Sequence, residues 1–286
     1  MIYIEKRKID HISRLVHDYS GIVVERVTSR QVEKKISDQM SRFKVSNLDD
    51  YISILESFSH NPLAMDDLIA DLTVSESFFF RNPGQFKYML EVLLPEFFDR
   101  QGFQFPFRIW SAGCSRGEEA YSIAMVARKF QNQFAEARFS INAGDINSRN
   151  LQMAKEGVFC KRSLRDKLPE FEEFFGFSLG RCDESGNCVV NEELRKMIEF
   201  QRLNLKNLQS LKCLTGSDII FCRNVLIYFD EHLRSLLFED FFKYLNPGGV
   251  VFIGESECLP PLDIGFETIN YKNSYAYRKP LLKQSK

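Results

Sequence analysis

Apolar residues recur every three or four positions up to about residue 80, and this spacing predicts a helical first part. Helices are predicted over 28–44, from 48 onward after Asn47, and from 62 to 72. A phenylalanine-rich segment, LTVSESFFFRNP, follows at 72–83. Two interpretations of this segment are compatible with each other. It is a connection whose phenylalanines enter the core, or it folds over a ligand.

After an amphipathic helix predicted around 85–98, apolar strands alternate with helices, a pattern typical of a doubly wound α/β sheet. Strands are predicted at 107–111, 139–145, 198–205, 218–222 and 250–253, with two antiparallel edge strands at 266–269 and 274–278. A turn at Pro247-Gly248-Gly249 is expected to precede the fifth strand. Between the strands, a helix is predicted from Ser148 to Glu156, and another after Asp230.

The stretch 158–199 interrupts this alternation. A turn at 183–187 followed by Cys188-Val189-Val190 predicts a β-hairpin. The sequence leaves open whether this hairpin is decoration or a small subdomain that docks a partner. We therefore predict a helical domain at 1–80 and an α/β domain at 81–286, with the hairpin subdomain inserted at about 160–198.

The first predicted strand runs into a glycine turn, Gly113-Cys114-Ser115-Arg116-Gly117, and then into a helix. Ser115 and Glu118 match a capping box, so Ser115 is predicted to cap that helix. A strand, a glycine turn and a helix are typical of a ligand site, and an acidic residue after the second strand, here Asp145, commonly binds a ribose.

The ligand at this turn remains open on these residues alone. A dinucleotide is disfavoured because G-x-G-x-x-G is missing and Glu118-Glu119 would repel a pyrophosphate. Gly113-x-Ser115-x-Gly117 formally matches the nucleophile elbow of a serine hydrolase. S-adenosylmethionine carries a cationic sulfonium and would suit acidic surroundings. A turn that only packs a helix against a strand is the simplest alternative.

The composition narrows the class of protein. The chain has a net charge of −1 and a pI near 6.5, which does not favour nucleic-acid binding. No signal peptide or membrane-spanning run is visible, so a cytoplasmic location without membrane insertion is expected. Seven cysteines form no C-x-x-C pair, so reduced thiols and no metal site are predicted.

Six segments taken together resemble the bacterial chemotaxis-receptor glutamate O-methyltransferases, the CheR family. They are LTVSESFFFR (72–81), WSAGCSRGEEAYSIA (110–124), GDIN (144–147), LNL (203–205), DIIFCRNVLIYF (218–229) and LNPGG…GESE (245–257). They occur in family order over nearly the whole chain. The resemblance implies a Rossmann-like methyltransferase sheet with an inserted small β-subdomain, preceded by an all-α N-terminal domain.

The resemblance also implies the activity, which is methyl transfer from S-adenosylmethionine to receptor glutamates, with S-adenosylhomocysteine as the product. The cofactor contacts it implies are Ser75, Ser77, Arg81, Glu119, Asp145, Asn204, Leu205, Asn224 and Val225. Arg81 is expected to hold the substrate carboxylate or to order the pocket, and Tyr228 is either a pocket hydroxyl or a core aromatic. The chemistry agrees, because a glutamate side chain is already ionised at neutral pH.

The expected partners are methyl-accepting chemotaxis receptors, through their cytoplasmic helical region. Arg30, Lys34, Lys35 and Arg42 lie away from the apolar stripe of the 28–44 helix. They either contact an acidic helical partner or form a solvated face. Tethering to a receptor peptide through the inserted hairpin stays open.

Two alternative functions remain. The first is a serine hydrolase using Ser115, for which the downstream histidine would have to be His232. The second is a non-catalytic relative that binds cofactor or receptor without transferring a methyl group.

Overall fold

The helical first part forms as predicted. A computed structural model describes residues 5–24, 29–57, 62–73, 77–164, 179–182, 184, 186–210, 215–259, 264–272 and 274–281. Its first four helices are α1 (Lys6–Ser20), α2 (Ser29–Arg42), α3 (Leu48–Glu56) and α4 (Leu63–Leu72). Asn47 caps α3, because its side-chain oxygen accepts a 2.8 Å hydrogen bond from the Asp50 N–H. The predicted domain boundary at residue 80 falls after α4 and stays a prediction.

The single helix predicted around 85–98 is interrupted. It consists of α5 (Pro83–Tyr88), a π-helical turn (Met89–Leu93) and α6 (Leu94–Gln101). Pro95 is the second residue after the π-helical turn and has no N–H to donate to the carbonyl four residues earlier. The missing hydrogen bond accounts for the change in helix type at this point.

The strands that the structure describes form two sheets, and helices lie between them in the sequence. The strands are β1 (Phe107–Ala112), β2 (Phe139–Asp145), β3 (Val158–Phe159), β4 (Leu179–Cys182), β5 (Cys188–Val190), β6 (Ile198–Arg202), β7 (Ser217–Phe221), β8 (Leu245–Phe252), β9 (Glu267–Tyr271) and β10 (Ser274–Arg278). The α-helices of this part are α7 (Glu118–Gln133) and α8 (Ser148–Glu156), and two further helices at Glu192–Lys196 and Glu231–Tyr244. Short 3₁₀ segments occur at Lys161–Leu164, Leu205–Ser210 and Leu226–Tyr228.

The large sheet has seven strands in the order β6-β2-β1-β7-β8-β10-β9. The first five are parallel, whereas β10 is antiparallel to β8 and β9 is antiparallel to β10. The predicted edge hairpin and the predicted fold class are therefore confirmed. Parallel strands bring the ends of β1, β2, β6 and β7 to one edge of the sheet, which is the usual place for a ligand.

The central strands are buried on both faces, which explains why they are continuous apolar runs. Ile109 and Ile219 pack into an apolar cluster with α5, α6 and α7 on one face. Their neighbours Trp110 and Ile220 face the other way, into a cluster with the helical first part and the helix Glu231–Tyr244. The helical part therefore shares one of the two cores of the sheet.

The turn expected at Pro247-Gly248-Gly249 is wrong as a strand boundary, because β8 already begins at Leu245. The pairing of β7 with β8 changes register between Ser217 and Ile219, so the proline and glycines form an irregularity within the strand. Gly248 has a φ of 82°, a conformation that glycine adopts without strain.

The small sheet has the order β3-β5-β4 and is antiparallel. The predicted hairpin is therefore present, and Val158–Phe159 adds a third strand that the sequence did not predict. The expectation of reduced thiols is wrong for Cys188, which is disulfide-bonded. Cys114 and Cys222 are buried free thiols, and Cys160 and Cys258 are exposed ones.

Polar contacts fix the helical part over the edge of the sheet where β6 and β7 end. The Tyr19 hydroxyl donates to Asp66 at 2.7 Å, and Asp66 forms an ion pair with Arg202 at 2.8 Å. The Lys206 ammonium donates to the carbonyls of His17 and Asp18, at 2.8 and 2.6 Å. These carbonyls end α1, so the cation also opposes the negative end of the helix dipole.

We expect the buried carboxylate of Asp66 to contribute most of this attachment. Asp66→Ala removes the carboxylate that Arg202 and Tyr19 share as an acceptor and should lower the free energy of unfolding by about 2–4 kcal/mol. The control is Asp49→Ala, because Asp49 pairs with Lys8 at 2.7 Å but its side chain is 75% exposed. That change should cost less than about 1 kcal/mol. Urea denaturation checks both variants, and equal losses would contradict the assignment.

Candidate functional site

A cavity of about 560 Å³ lies at the edge of the sheet where β1, β2, β6 and β7 end. Ser20, Ile22 and Thr73 of the helical part close it on one side. The predicted site residues that line it are Ser77, Arg81, Glu119, Asp145, Asn204, Leu205, Asn224, Val225 and Tyr228. Ser75 lies outside the described residues. The fold therefore brings all the described members of the predicted set to one place, whereas their individual roles stay predictions.

The glycine turn forms the floor of this cavity. Gly113 has a φ of 83°, and a Cβ atom at this position would lie 2.4 Å from Cγ2 of Val225. Both observations require glycine, because the turn runs directly beside the residue that follows β7. A ligand in the cavity therefore lies against main chain here.

The predicted cap at Ser115 is wrong. Helix α7 begins at Glu118, and the residue before it is Gly117, which has a φ of 97°. The left-handed conformations at Ser115 and Gly117 extend the turn, so the Ser115 hydroxyl precedes the capping position. Its Oγ is buried and has no hydrogen-bond partner within the described residues.

Asp145 ties the turn to the end of β2. Its Oδ2 accepts a 2.8 Å hydrogen bond from the Ser115 N–H, and its Oδ1 accepts one of 2.9 Å from the Asn147 N–H. Burial raises the pKa of this carboxyl, while both backbone hydrogen bonds oppose the rise. The side chain thus fixes the main chain of the cavity floor and contributes an acidic group to it.

Glu119 and Arg223 form an ion pair in the wall of the cavity. Oε2 of Glu119 lies 3.2 Å from Nη1 of Arg223, and its Oε1 accepts a 2.6 Å hydrogen bond from Ser111. Burial raises the pKa of the Glu119 carboxyl, and Arg223 and the Ser111 hydroxyl oppose this. The side chain of Arg223 is only 2% exposed, so its charge depends on this pair.

Arg223 was missing from the residues predicted for the site. It also donates to the carbonyl of Arg81 and to Oδ1 of Asn82, and it lies 5.4 Å from the centre of the Phe86 ring. It therefore holds the 81–82 segment against the end of β7. The signal in the sequence was a cation directly after the apolar run Ile219-Ile220-Phe221-Cys222.

Each of the two asparagines of the predicted set is fixed by a hydrogen bond to a distant part of the chain. Asn204 donates from Nδ2 to the carbonyl of Tyr19 at 2.7 Å, so it joins the end of α1 to the cavity. Asn224 has a φ of 59°, and its N–H donates to Oε2 of Glu257 at 2.8 Å. Glu257 also accepts from the N–H groups of Gly254 and Ile227, at 2.7 and 3.2 Å. Sequence reasoning did not assign Glu257 a role.

The phenylalanine-rich segment contributes to both the core and the cavity, whereas its folding over a ligand stays a prediction. Phe79 and Phe80 are 3% and 2% exposed and fill the core, with ring centres 4.9 Å from Phe159 and 5.3 Å from Phe86 respectively. Phe78 and Arg81 line the cavity, and the Arg81 guanidinium lies 5.7 Å from the centre of the Phe78 ring. The segment therefore plugs the core with two rings and gives the residues on either side of them to the site.

The hydrolase alternative lacks its catalytic pair. A serine nucleophile needs a base within hydrogen-bond reach, whereas the Ser115 Oγ has no partner in the part of the chain that the structure describes. His232 is exposed, in the first turn of the helix Glu231–Tyr244. Within the same residues no cluster of His, Cys, Asp or Glu could hold a metal ion, and no helix has the length and apolar character to cross a bilayer.

The cavity fits a cationic nucleoside such as S-adenosylmethionine. Its volume lies in the usual range for ligand sites. Glu119 and Asp145 supply negative charge, and the unpartnered hydroxyl of Ser115 lines the same space. A buried hydroxyl without a partner is rare in a protein and is typical of a site that a polar ligand completes.

Comparison with known proteins also indicates a protein that binds S-adenosylmethionine. A family model described as "CheR methyltransferase, SAM binding domain" matches residues 75–275. The chemotaxis protein methyltransferase 2 of Vibrio cholerae is 33% identical over 91% of this chain and 88% of its own length. The chemotaxis protein methyltransferase of Escherichia coli is 30% identical over 94% and 90%. The structure of TrmN from Thermus thermophilus is 16% identical, covers 66% of this chain and 46% of its own, and has a TM-score of 0.35, too low to carry an argument.

We expect Asp145→Ala to weaken binding of S-adenosylhomocysteine by about 1–3 kcal/mol, which is roughly 5- to 150-fold, because hydrogen bonds to a charged group are lost. Isothermal titration calorimetry of the folded variant measures the change. The control is Asp230→Ala: Asp230 accepts the Leu233 N–H at 2.7 Å as a helix cap and does not line the cavity. The affinity of that control should be unchanged, and an unchanged affinity in Asp145→Ala would contradict the assignment.

The same titration has an expected pH dependence. Because burial raises the pKa of the Asp145 carboxyl, its ionised form is lost at a higher pH than in an exposed aspartate. The affinity of the wild-type chain should therefore fall as the pH is lowered through that raised value. Asp145→Ala should lack this component.

Proposed function

We propose that this chain, which belongs to the CheR methyltransferase family, transfers methyl groups to glutamate side chains of chemotaxis receptors and forms methyl esters. It is an S-adenosylmethionine-dependent methyltransferase, since the matched domain binds this cofactor. The proposal that the substrate is a receptor is supported by the relatives. They are chemotaxis protein methyltransferases, and they match most of this chain. Which atom accepts the methyl group has to be argued from the site.

One observation carries the proposal of a carboxylate acceptor. The ionisable side chains among the described lining residues of the cavity are Arg81, Cys114, Glu119, Asp145, Arg223 and Tyr228, and no histidine is among them. A neutral acceptor would need a base to remove its proton. A glutamate side chain is ionised at neutral pH and needs none. A guanidinium at this position instead suits a planar carboxylate, which it can hold by two hydrogen bonds.

The residues of the chain then divide into two roles. Ser75, Ser77, Arg81, Glu119, Asp145, Asn204, Leu205, Asn224 and Val225 are proposed to hold the cofactor. Bound S-adenosylmethionine supplies a methyl group on a cationic sulfur, which becomes neutral as S-adenosylhomocysteine forms. Because the anionic acceptor also loses its charge, a pocket that excludes water favours the reaction. The helical part covers one side of the cavity with Ser20, Ile22 and Thr73 and thereby shields that side from water.

Arg81 and Tyr228 are the proposed catalytic residues. The carbonyl of Arg81 is held by the buried Arg223, which leaves the guanidinium of Arg81 on the wall of the cavity. Tyr228 is half-buried and lines the cavity, and its carbonyl accepts the Val23 N–H at 2.8 Å. Both side chains are therefore carried by main chain that is fixed by other residues.

The basic side of α2 is the proposed receptor contact, but it is smaller than the sequence suggested. Arg42 lies 3.4 Å from Asp71 and 3.8 Å from Asp67, so it is engaged in ion pairs with α4. The side chain of Arg30 lies outside the described residues. Lys34 is exposed and Lys35 is half-buried. These two lysines therefore carry the proposal that α2 contacts an acidic helical partner.

We expect Arg81→Ala to reduce methyl transfer by at least about a hundredfold, because it removes the two-hydrogen-bond contact that orients the reacting carboxylate towards the methyl group. Arg81→Lys should restore little, since an ammonium cannot reproduce the planar fork. The assay is transfer of labelled methyl groups to receptor-containing membranes, scored as base-labile ester. His232→Ala is the control and should keep full activity.

Two results would contradict the proposed methyl transfer and the role of Arg81 in it. If the wild-type chain binds S-adenosylhomocysteine but transfers no methyl group, it is the non-catalytic relative. If Ser115→Ala and His232→Ala each abolish an esterase activity while Arg81→Ala is harmless, the hydrolase alternative is correct.

We expect reversal of both lysines, Lys34→Glu with Lys35→Glu, to slow methylation of intact receptor by about threefold or more at low salt. Cofactor affinity should not change, because exposed charges act on encounter rate and partner choice. The matched control, Lys6→Glu with Lys155→Glu, makes the same change in net charge at two exposed positions. Equal rates for the two double variants would mean that Lys34 and Lys35 are only a solvated face.

A further inference from the structure

A second cavity adjoins the first and shares part of its wall. It has a volume of about 400 Å³ and shares Phe78, Arg81, Asn224 and Ser256 with the cofactor cavity. Asp145 and Asn204, which are proposed to hold the cofactor, line the first cavity. The two cavities therefore meet at Arg81. Because Arg81 is the proposed contact of the acceptor carboxylate, the second cavity offers the acceptor a route to it.

Two opposite charges line this path. Arg81 comes from the phenylalanine-rich segment, and Glu255 comes from the loop after β8. Glu255 is exposed, and no hydrogen bond or ion pair engages its carboxylate within the residues that the structure describes. Glu257, two residues later, is bound by three backbone N–H groups and serves to hold the loop. The charge of Glu255 is therefore available to whatever enters.

The field of Glu255 also reaches inward. It favours the charged form of the buried Arg223 guanidinium, on which burial has the opposite effect. An acceptor segment that enters the cavity thus meets a cation at the depth of its reacting carboxylate and an anion beside its neighbouring residues. Such an arrangement distinguishes acceptors by the charge next to the glutamate.

We propose that Glu255 is a specificity-determining residue, which favours acceptor glutamates flanked by lysine or arginine over those flanked by a second carboxylate. The inference rests on the proposed function and adds which glutamates are preferred. Its physical basis is attraction or repulsion between exposed charges, which is modest and is screened by salt.

The test uses the full chain and three receptor cytoplasmic fragments. Each fragment has a single acceptor glutamate, and the residue beside it is lysine, glutamine or aspartate. For the wild-type chain at low salt we expect kcat/KM to decrease in that order, by about threefold at each step. Glu255→Gln should flatten the series, and Glu255→Lys should reverse it. High salt should reduce all of these differences.

The control is Glu239→Lys, an equal charge change at an exposed position that lines neither cavity. It should keep the wild-type order. The inference is overturned if Glu255→Gln and Glu255→Lys both keep the wild-type preference, or if Glu239→Lys alters the preference as Glu255→Lys does. In both cases methylation of the glutamine fragment continues, so the proposed function stands. If the wild-type chain methylates none of the fragments while binding S-adenosylhomocysteine, the proposed function fails and the inference fails with it.

Discussion

The ion pair between Arg223 and Glu119 joins three separate pieces of the chain. Arg223 follows β7, Glu119 lies in the first turn of α7, and the 81–82 segment is held by further donors of the same guanidinium. The side chains of Arg223 and Glu119 are only 2% and 13% exposed, so removal of either charge would leave the other without compensation in a medium of low dielectric constant. The position of Arg81 at the meeting point of the two cavities therefore depends on Arg223, which is 142 positions away in the sequence and belongs to a different element.

Carboxylates perform much of the remaining positioning. Asp145 binds two N–H groups of the cavity floor, and Glu257 binds three in the loops after β7 and β8. Anionic acceptors are well suited to this role, because each oxygen accepts more than one hydrogen bond and bonds to charged groups are strong. The same residues give the site its acidic character, which suits a cationic cofactor. Structure and ligand preference thus arise from one set of side chains.

Much of the architecture could be predicted from the sequence. The apolar runs identified all seven strands of the large sheet, and the order of helices and strands predicted the fold class that the structure confirms. The cavity was also foreseeable in outline. Parallel strands must place their carboxyl ends at one edge, so residues directly after β1, β2, β6 and β7 converge whatever their side chains are. Asp145, Asn204, Leu205, Asn224, Val225 and Tyr228 line one cavity for this reason, whereas Ser77, Arg81 and Glu119 reach it from other elements.

Only the tertiary structure decided which atoms are partners. A capping box at Ser115 fits the local sequence, yet left-handed turns at Ser115 and Gly117 delay the start of the helix. Arg223 contacts Glu119 and Arg81, 104 and 142 positions away, and Glu257 contacts Asn224, 33 positions away, so no local pattern reports these contacts. Periodicity and turn composition reflect the preferences of neighbouring residues, and they determined the elements of this protein and the edge at which they meet. Hydrogen bonds and ion pairs between distant residues depend on the packed arrangement of those elements, which exists only after folding.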